Sequence, residues 1–398
     1  MSKYLRYINL FYIIVGYFLL TSLFSSKISN GDSQSITLPI RLFGLSLSLI
    51  VIYLNISTKN YLKIDRWYIL LSIFIFMYLI RMIYDLIIDG SILHYFDKSF
   101  YFANFLFICL LPMYSLRNSI DIDSVIFVKI LLLFYVLAGL LSLLNNSISF
   151  SSVVVDRIDG NDAFGSIGFG HAGVSLSLLS VYLIVKRNKF IPAYFGLIFG
   201  FFLVLISGSR SPIIAFFVAT FIFFASRIGK SHIILSLLLV LFLIFLTNFE
   251  TFLSFVGSFN ASLEKRFYLL IVAGDYGARE VMYNTAFSTF LDYPLTGYSF
   301  LLQSGFNIGT YPHNFFLESL MACGLLGGLI FAILNFAALY FSIISFKFKN
   351  SFFWVNLLYI QFLILGMFSG AIWNSPLYWV FLFLVFNTRN RNIHQQIV

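Results

Sequence analysis

Three short motifs hold most of what could do chemistry in this chain. Ser207-Gly208-Ser209-Arg210-Ser211-Pro212 joins two apolar stretches, with Pro212 expected at the first helical position. Small residues there can turn backbone N–H groups toward an anion, and the Arg210 guanidinium is a planar fork that fits two phosphate oxygens. The competing reading is an arginine that snorkels to the membrane interface at a tight hairpin. Gly277-Ala278-Arg279-Glu280 opens a helical pattern and offers a second cation, or simply that helix's wet face. Tyr311-Pro312-His313-Asn314 precedes another apolar run, where a histidine can act as base, acid or phosphate donor near neutral pH, or as a helix cap. Beyond it, Gly324 and Gly328 form a G-x-x-x-G face expected to receive a second helix.

Other familiar chemistries fail on residue type. Gly229-Lys230-Ser231 ends like a phosphate-binding loop, but Phe224 stands where its first glycine must be. Neither H-E-x-x-H nor G-x-S-x-G occurs. Asp121 and Asp123 form a lone D-x-D just before an apolar run, where acids also favour a helix N-terminus. Asp156, Asp159 and Asp162 lack the calcium-loop pattern and read as solvated loop. Cys109 and Cys323 lie inside different apolar stretches, with neither disulfide nor zinc spacing.

The elements that must position these motifs are membrane spans. Of 398 residues, 60% are hydrophobic and 10% charged, with mean hydropathy +0.94, whereas a soluble domain carries about 25% charged residues. A water-soluble globular protein is excluded. Twelve spans are expected, at 7–24, 36–55, 67–88, 100–115, 124–144, 165–185, 190–206, 212–226, 233–247, 314–345, 352–372 and 375–387. The fold class is therefore all-α, a single polytopic membrane domain over 1–398. The connection 145–164 is of middling length. The connection 248–313 is far longer than a turn, and long loops usually carry function. Within it, 278–291 is expected as a short amphipathic helix at the interface.

Net charge is +9, and its distribution gives topology instead of a polyanionic partner. With the loops alternating sides, fifteen cations face three acids on one side, net +12. Seven cations and eleven acids fall on the other, net −4. The positive-inside rule puts both termini in the cytoplasm and the long loop outside. The first span follows Lys3 and Arg6 without an A-x-A site and is expected to be an uncleaved anchor. Arg41 and Arg81 fall in the outer halves of their spans, Arg81 with Asp85 one turn further out. Intramembrane charge is by default a functional signal, although Arg81 and Asp85 can also neutralise one another.

Taken together, Ser-Gly-Ser-Arg210, the Arg279 helix ending in Tyr293-Pro294-Leu295-Thr296-Gly297, and His313-Asn314-x9-Gly324-x-x-Gly327 resemble the O-antigen polymerase and O-antigen ligase superfamily of bacterial inner membranes. The resemblance is good over residues 160–345 and extends to the N-terminal third only by hydropathy. It implies an inverting, metal-independent glycosyltransferase, without cofactor, that acts at the periplasmic face on undecaprenyl-diphosphate-linked glycans. It also implies that Arg210 and Arg279 bind the donor diphosphate and that His313 positions or deprotonates the acceptor hydroxyl. Arg157, Arg266, Arg81, Arg41 and Asn314 are expected to bind substrate. Besides the lipid-linked glycan and membrane lipid, a chain-length-regulating co-polymerase is an expected partner, and nucleic acid is not. Two R-x10-G matches, Arg157 to Gly168 and Arg266 to Gly277, resemble a polymerase pattern, whereas the H-N-x9-G-x-x-G pattern resembles the ligases. The polymerase is the favoured reading, ahead of the ligase and of a flippase or exporter of the same lipid-linked sugar.

Overall fold

Leucine, isoleucine and phenylalanine fill long stretches in which backbone N–H and C=O groups can find no water, so the chain satisfies them within helices. In the computed structural model, residues 2–24, 33–57, 65–87, 98–118, 124–145, 165–186, 190–227, 249–272, 278–305, 308–347 and 350–394 are described. Among them every regular element is helical. Six helices are long and apolar enough to cross a membrane: α1 (Lys3–Phe24), α2 (Ser33–Ile56), α3 (Arg66–Ile87), α5 (Ser124–Asn145), α6 (Ser166–Val185) and α12 (Phe315–Lys347). Four shorter apolar helices accompany them: α4 (Phe100–Ser115), α7 (Pro192–Ile206), α8 (Arg210–Ala225) and α13 (Phe353–Gly366). The last helix, α14 (Pro376–His394), closes the bundle. The expected span at 233–247, the 145–164 loop with Arg157, the Asp121/Asp123 pair and Gly277 lie outside the described residues.

Two of these helices are not regular. Tyr12–Gly16 in α1 and Asn104–Leu110 in α4 are π-helical. Widened turns of this kind add a residue to the helix and are found disproportionately at functional sites.

The described part of the long connection 248–313 folds into three helices where the sequence pattern marks one. α9 (Phe249–Phe259) and α10 (Ala261–Ile271) form a hairpin whose turn is capped by Asn260, with its side chain accepting from Leu263 N at 2.9 Å. Leu253, Val256, Leu263 and Phe267 bury their side chains in the main core. The third, α11 (Ala278–Asp292), has the expected bounds to within a residue. Met282 and Ala286 pack against Leu302 and Met321, while Val281, Phe287 and Leu291 stay exposed. The helix thus presents one apolar surface to the protein and another outward.

The Gly324 region differs from the expected helix-packing face. Gly324 adopts φ 64° and ψ −164°, which breaks α12 in its middle. The turn after α11 enters this break: Leu325 N donates to Pro294 O at 2.7 Å, and Tyr298 N donates to Met321 O at 2.8 Å. A Cβ on Gly324 would lie 2.3 Å from Leu295 O, and one on Gly297 (φ 67°) would lie 2.5 Å from Ala322 O. Both glycines are needed because two backbones meet here at positive φ.

Arg81 clamps this junction. Its guanidinium donates to Ala322 O at 2.9 Å, Tyr298 O at 2.8 Å, and Thr296 O and Gly297 O at 3.0 Å each. Asp85, 3.5 Å from Arg81, accepts from Phe300 N at 3.0 Å. One helical turn beyond Asn314, the buried Glu318 does the same for a second loop. It accepts from Tyr78 Oη and from Ile372 N at 3.1 and 3.0 Å, fixing the link between α13 and α14.

Candidate active site

Arg210 is the first residue of α8, so Pro212 falls two residues further into the first turn than the sequence pattern places it. The turn before it needs Gly208 at φ 60°. The Arg210 guanidinium donates to the backbone carbonyl of Arg266 at 2.7 Å, and Asn260 Nδ2 donates to Ile206 O at 3.4 Å. These bonds tie the α9–α10 hairpin to the Ser207–Arg210 turn, bringing Arg266 to the end of α8.

Arg279, at the start of α11, completes the basic group. It has no ion-pair partner among the described residues, and its charge acts on Arg266, Tyr283, Tyr311 and His313. Burial, and then the Arg279 charge, push the Arg266 pKa down. The repulsion between the two guanidiniums is relieved by any anion that binds across the pair.

His313 stands out on backbone geometry. At φ 57° it is the single non-glycine residue with positive φ among those described. Such a conformation costs about 1–3 kcal/mol and is found preferentially where a side chain must be aimed. Its ring packs on Tyr311 with centroids 4.3 Å apart. Burial and the Arg279 charge lower its pKa from the ordinary 6.5, against a smaller upward pull from a hydrogen bond to the Ser369 backbone. The imidazole is therefore neutral at pH 7, with Nδ1 buried and lacking a partner. A neutral imidazole that donates through one nitrogen offers a lone pair on the other, the state a general base requires.

Asn314 orients this turn. Its Oδ1 accepts from Phe316 N at 3.0 Å and Leu317 N at 3.2 Å, capping α12, and its amide donates to Met367 O at 3.3 Å. Tyr283 donates to the same carbonyl at 3.2 Å.

Arg210 at the start of α8, Arg266 within α10, Arg279 at the start of α11 and the His313–Asn314 turn before α12 are thus linked into one group. Residues 195–332 match the family model described as O-antigen ligase. This stretch belongs to the O-antigen ligase and polymerase superfamily. No curated protein and no solved structure matches the chain. All five residues fall inside the O-antigen ligase family segment, as do Gly297 and Gly324 at the backbone junction.

The remaining expected site residues lie elsewhere. Arg81 spends its donors on backbone carbonyls and acts on the family segment by fixing its turn, which places it as a scaffold residue. Arg41, outside the family segment, lines a cavity that none of the three clustered arginines lines, and its guanidinium lies 5.9 Å from the Tyr17 ring centroid. Among the described residues no three His, Cys, Asp or Glu side chains gather where a metal ion could sit. Two participants carry no local sequence signal: the Met367–Ser369 backbone, which holds Asn314, Tyr283 and His313, and Glu318, which holds the adjoining loop.

Proposed function

We propose that this protein polymerises lipid-linked oligosaccharide repeat units at the periplasmic face of the bacterial inner membrane, with both termini in the cytoplasm. The observation that supports the reading is a linked basic group, Arg210 bonded to the Arg266 backbone and Arg279 acting on both Arg266 and a neutral His313 with an unpartnered ring nitrogen.

In the reaction, a hydroxyl oxygen on the non-reducing sugar of one lipid-linked unit attacks the anomeric carbon of the growing chain. The bond from that carbon to the diphosphate oxygen breaks, and undecaprenyl diphosphate leaves with the bonding electron pair. The hydroxyl proton passes to His313. Attack opposite the leaving group inverts the anomeric centre. The arginines hold the donor diphosphate and balance the charge that grows on it as it leaves, an electrostatic contribution that is strongest where water is excluded. No nucleotide is consumed, because the lipid diphosphate is itself the activated leaving group.

The ligase reading, in which the finished chain passes to the lipid A core, is favoured by the description of the matched family. One experiment separates the readings. Deletion of the gene followed by lipopolysaccharide electrophoresis should give core bearing a single repeat unit. Bare core with polymer left on the carrier would make the protein the ligase, and bare core with units trapped in the cytoplasm would make it a flippase. Arg210→Ala and His313→Ala should reproduce the deletion pattern with the protein still present in the membrane. A normal ladder in both would overturn the mechanism.

A further inference from the structure

A cavity of about 470 Å³ lies beside His313 and is lined by none of the three clustered arginines. This is within the range of small-ligand sites, roughly 300–1,000 Å³. It adjoins the catalytic group through Tyr311, whose ring packs on His313, and through Ser369, whose backbone bonds to it. Both π-helical segments contribute to its wall, Tyr12–Gly16 through Tyr12 and Asn104–Leu110 through Asn104 and Phe107. Two separate irregularities in helix winding therefore serve one space.

Most polar groups in the wall are satisfied by the protein. Tyr12 Oη donates to Ile40 O, Tyr135 Oη to Ile14 O at 2.8 Å, and Asn104 Nδ2 to Trp373 O at 3.2 Å and Asn374 Oδ1 at 2.8 Å. Two are not. His171 Nε2 is buried without a hydrogen-bond partner. Among the described residues of the lining, Arg41 is the one Lys or Arg and there is no Asp or Glu, and the Arg41 guanidinium lies 5.9 Å from the Tyr17 ring centroid. Arg41 lies inside the apolar span-length helix Thr37–Ile56 with no acid in the described lining, and intramembrane cations of this kind normally face an ion or substrate path. A single cation matches a single negative charge, whereas a diphosphate carries more and has the arginine cluster available. Aromatic walls with few polar groups suit the apolar faces of pyranose rings.

We propose that this cavity seats the acceptor glycan and that the glycan carries an acidic sugar, whose carboxylate pairs with Arg41 while His171 Nε2 takes a neighbouring hydroxyl. The inference rests on the reading of His313 as the group that activates the acceptor, because Tyr311 and Ser369 both line the cavity and contact His313.

The test is a calorimetric titration of the full chain in nanodiscs with a glucuronic acid–glucose disaccharide, a neutral glucose disaccharide and undecaprenyl phosphate. The acidic disaccharide should bind more tightly than the neutral one. Arg41→Gln should erase that preference, about a tenfold loss for one charge-assisted pair, and Arg41→Lys should retain part of it. His171→Phe should weaken both disaccharides. Equal affinity of the unaltered chain for the two disaccharides overturns the proposal even if Arg41→Gln fails to fold. So does Arg41-dependent binding of undecaprenyl phosphate alone, which would assign the cavity to the carrier. The titration involves no turnover, so its failure beside an intact Arg210 requirement for chain growth condemns only the cavity. Preferential acidic-sugar binding in a protein whose deletion leaves the ladder normal condemns the polymerase reading instead.

Discussion

At the scale of single residues, the site depends on how His313 is held. Burial and Arg279 both disfavour its protonation, so its pKa lies below 6.5. The sign is that of a depressed base: activity is present above the folded pKa and is lost as pH falls through it. A pH–rate profile of the reconstituted enzyme should show an acidic limb with an apparent pKa below 6.5, and Arg279→Gln should move that limb upward. A limb above 6.5 in the unaltered enzyme would contradict the assignment. Asn314→Ala should cost about 1 kcal/mol of stability through loss of the cap alone, read as a drop in melting temperature. It should also weaken catalysis further, because the same side chain ties the His313 turn to Met367. The local sequence shows His313, Asn314, Arg210 and Arg279, because polar residues beside long apolar runs are conspicuous. His171 is not visible in this way, since one histidine inside an apolar helix has no local mark of facing a cavity.

At the scale of elements, the junction of α12 with the turn at 294–298 decides the active-site shape. The G-x-x-x-G spacing suggests helix packing, yet Gly324 and Gly297 meet backbone to backbone. Gly324→Ala should cost at least about 1–3 kcal/mol from the positive φ alone, with a steric clash added. Gly328→Ala meets only the Leu320 side chain and should be mild. Comparable melting of the two variants would refute the distinction. Arg81 holds four carbonyls at this junction, and lysine cannot reproduce a planar fork with that many donors. Arg81→Lys should therefore lower stability by roughly 2–4 kcal/mol and leave Asp85 poorly paired, measured by thermal melting in detergent. Sequence spacing gives the Arg81–Asp85 pair correctly. It does not show that the main partners are backbone groups more than two hundred residues away, carbonyls for Arg81 and the Phe300 N–H for Asp85.

At the scale of the whole molecule, the uneven charge of the loops sets an orientation that can be checked directly. Cys109 and Cys323 are both buried, so the native thiols should stay silent toward impermeant reagents. Asp292→Cys, at the exposed end of α11, should be labelled from the periplasm in intact cells. Protection from outside, with labelling only after lysis, would reverse the proposed topology and the mechanism with it.

Hydrophobicity and charge alone determined that this is a helical membrane protein, gave the proposed sidedness of its loops, and picked out the few cations of the long connection among its acids. These follow from sequence because transfer free energy and helix periodicity are properties of consecutive residues. Tertiary structure decided what those cations do. It gave Arg81 to the scaffold, joined Arg266 to Arg210 through a backbone carbonyl, twisted His313 into a strained conformation, and set Arg41 and His171 on one cavity. Each of these depends on contacts between segments far apart in the chain, and such contacts leave no trace in local spacing.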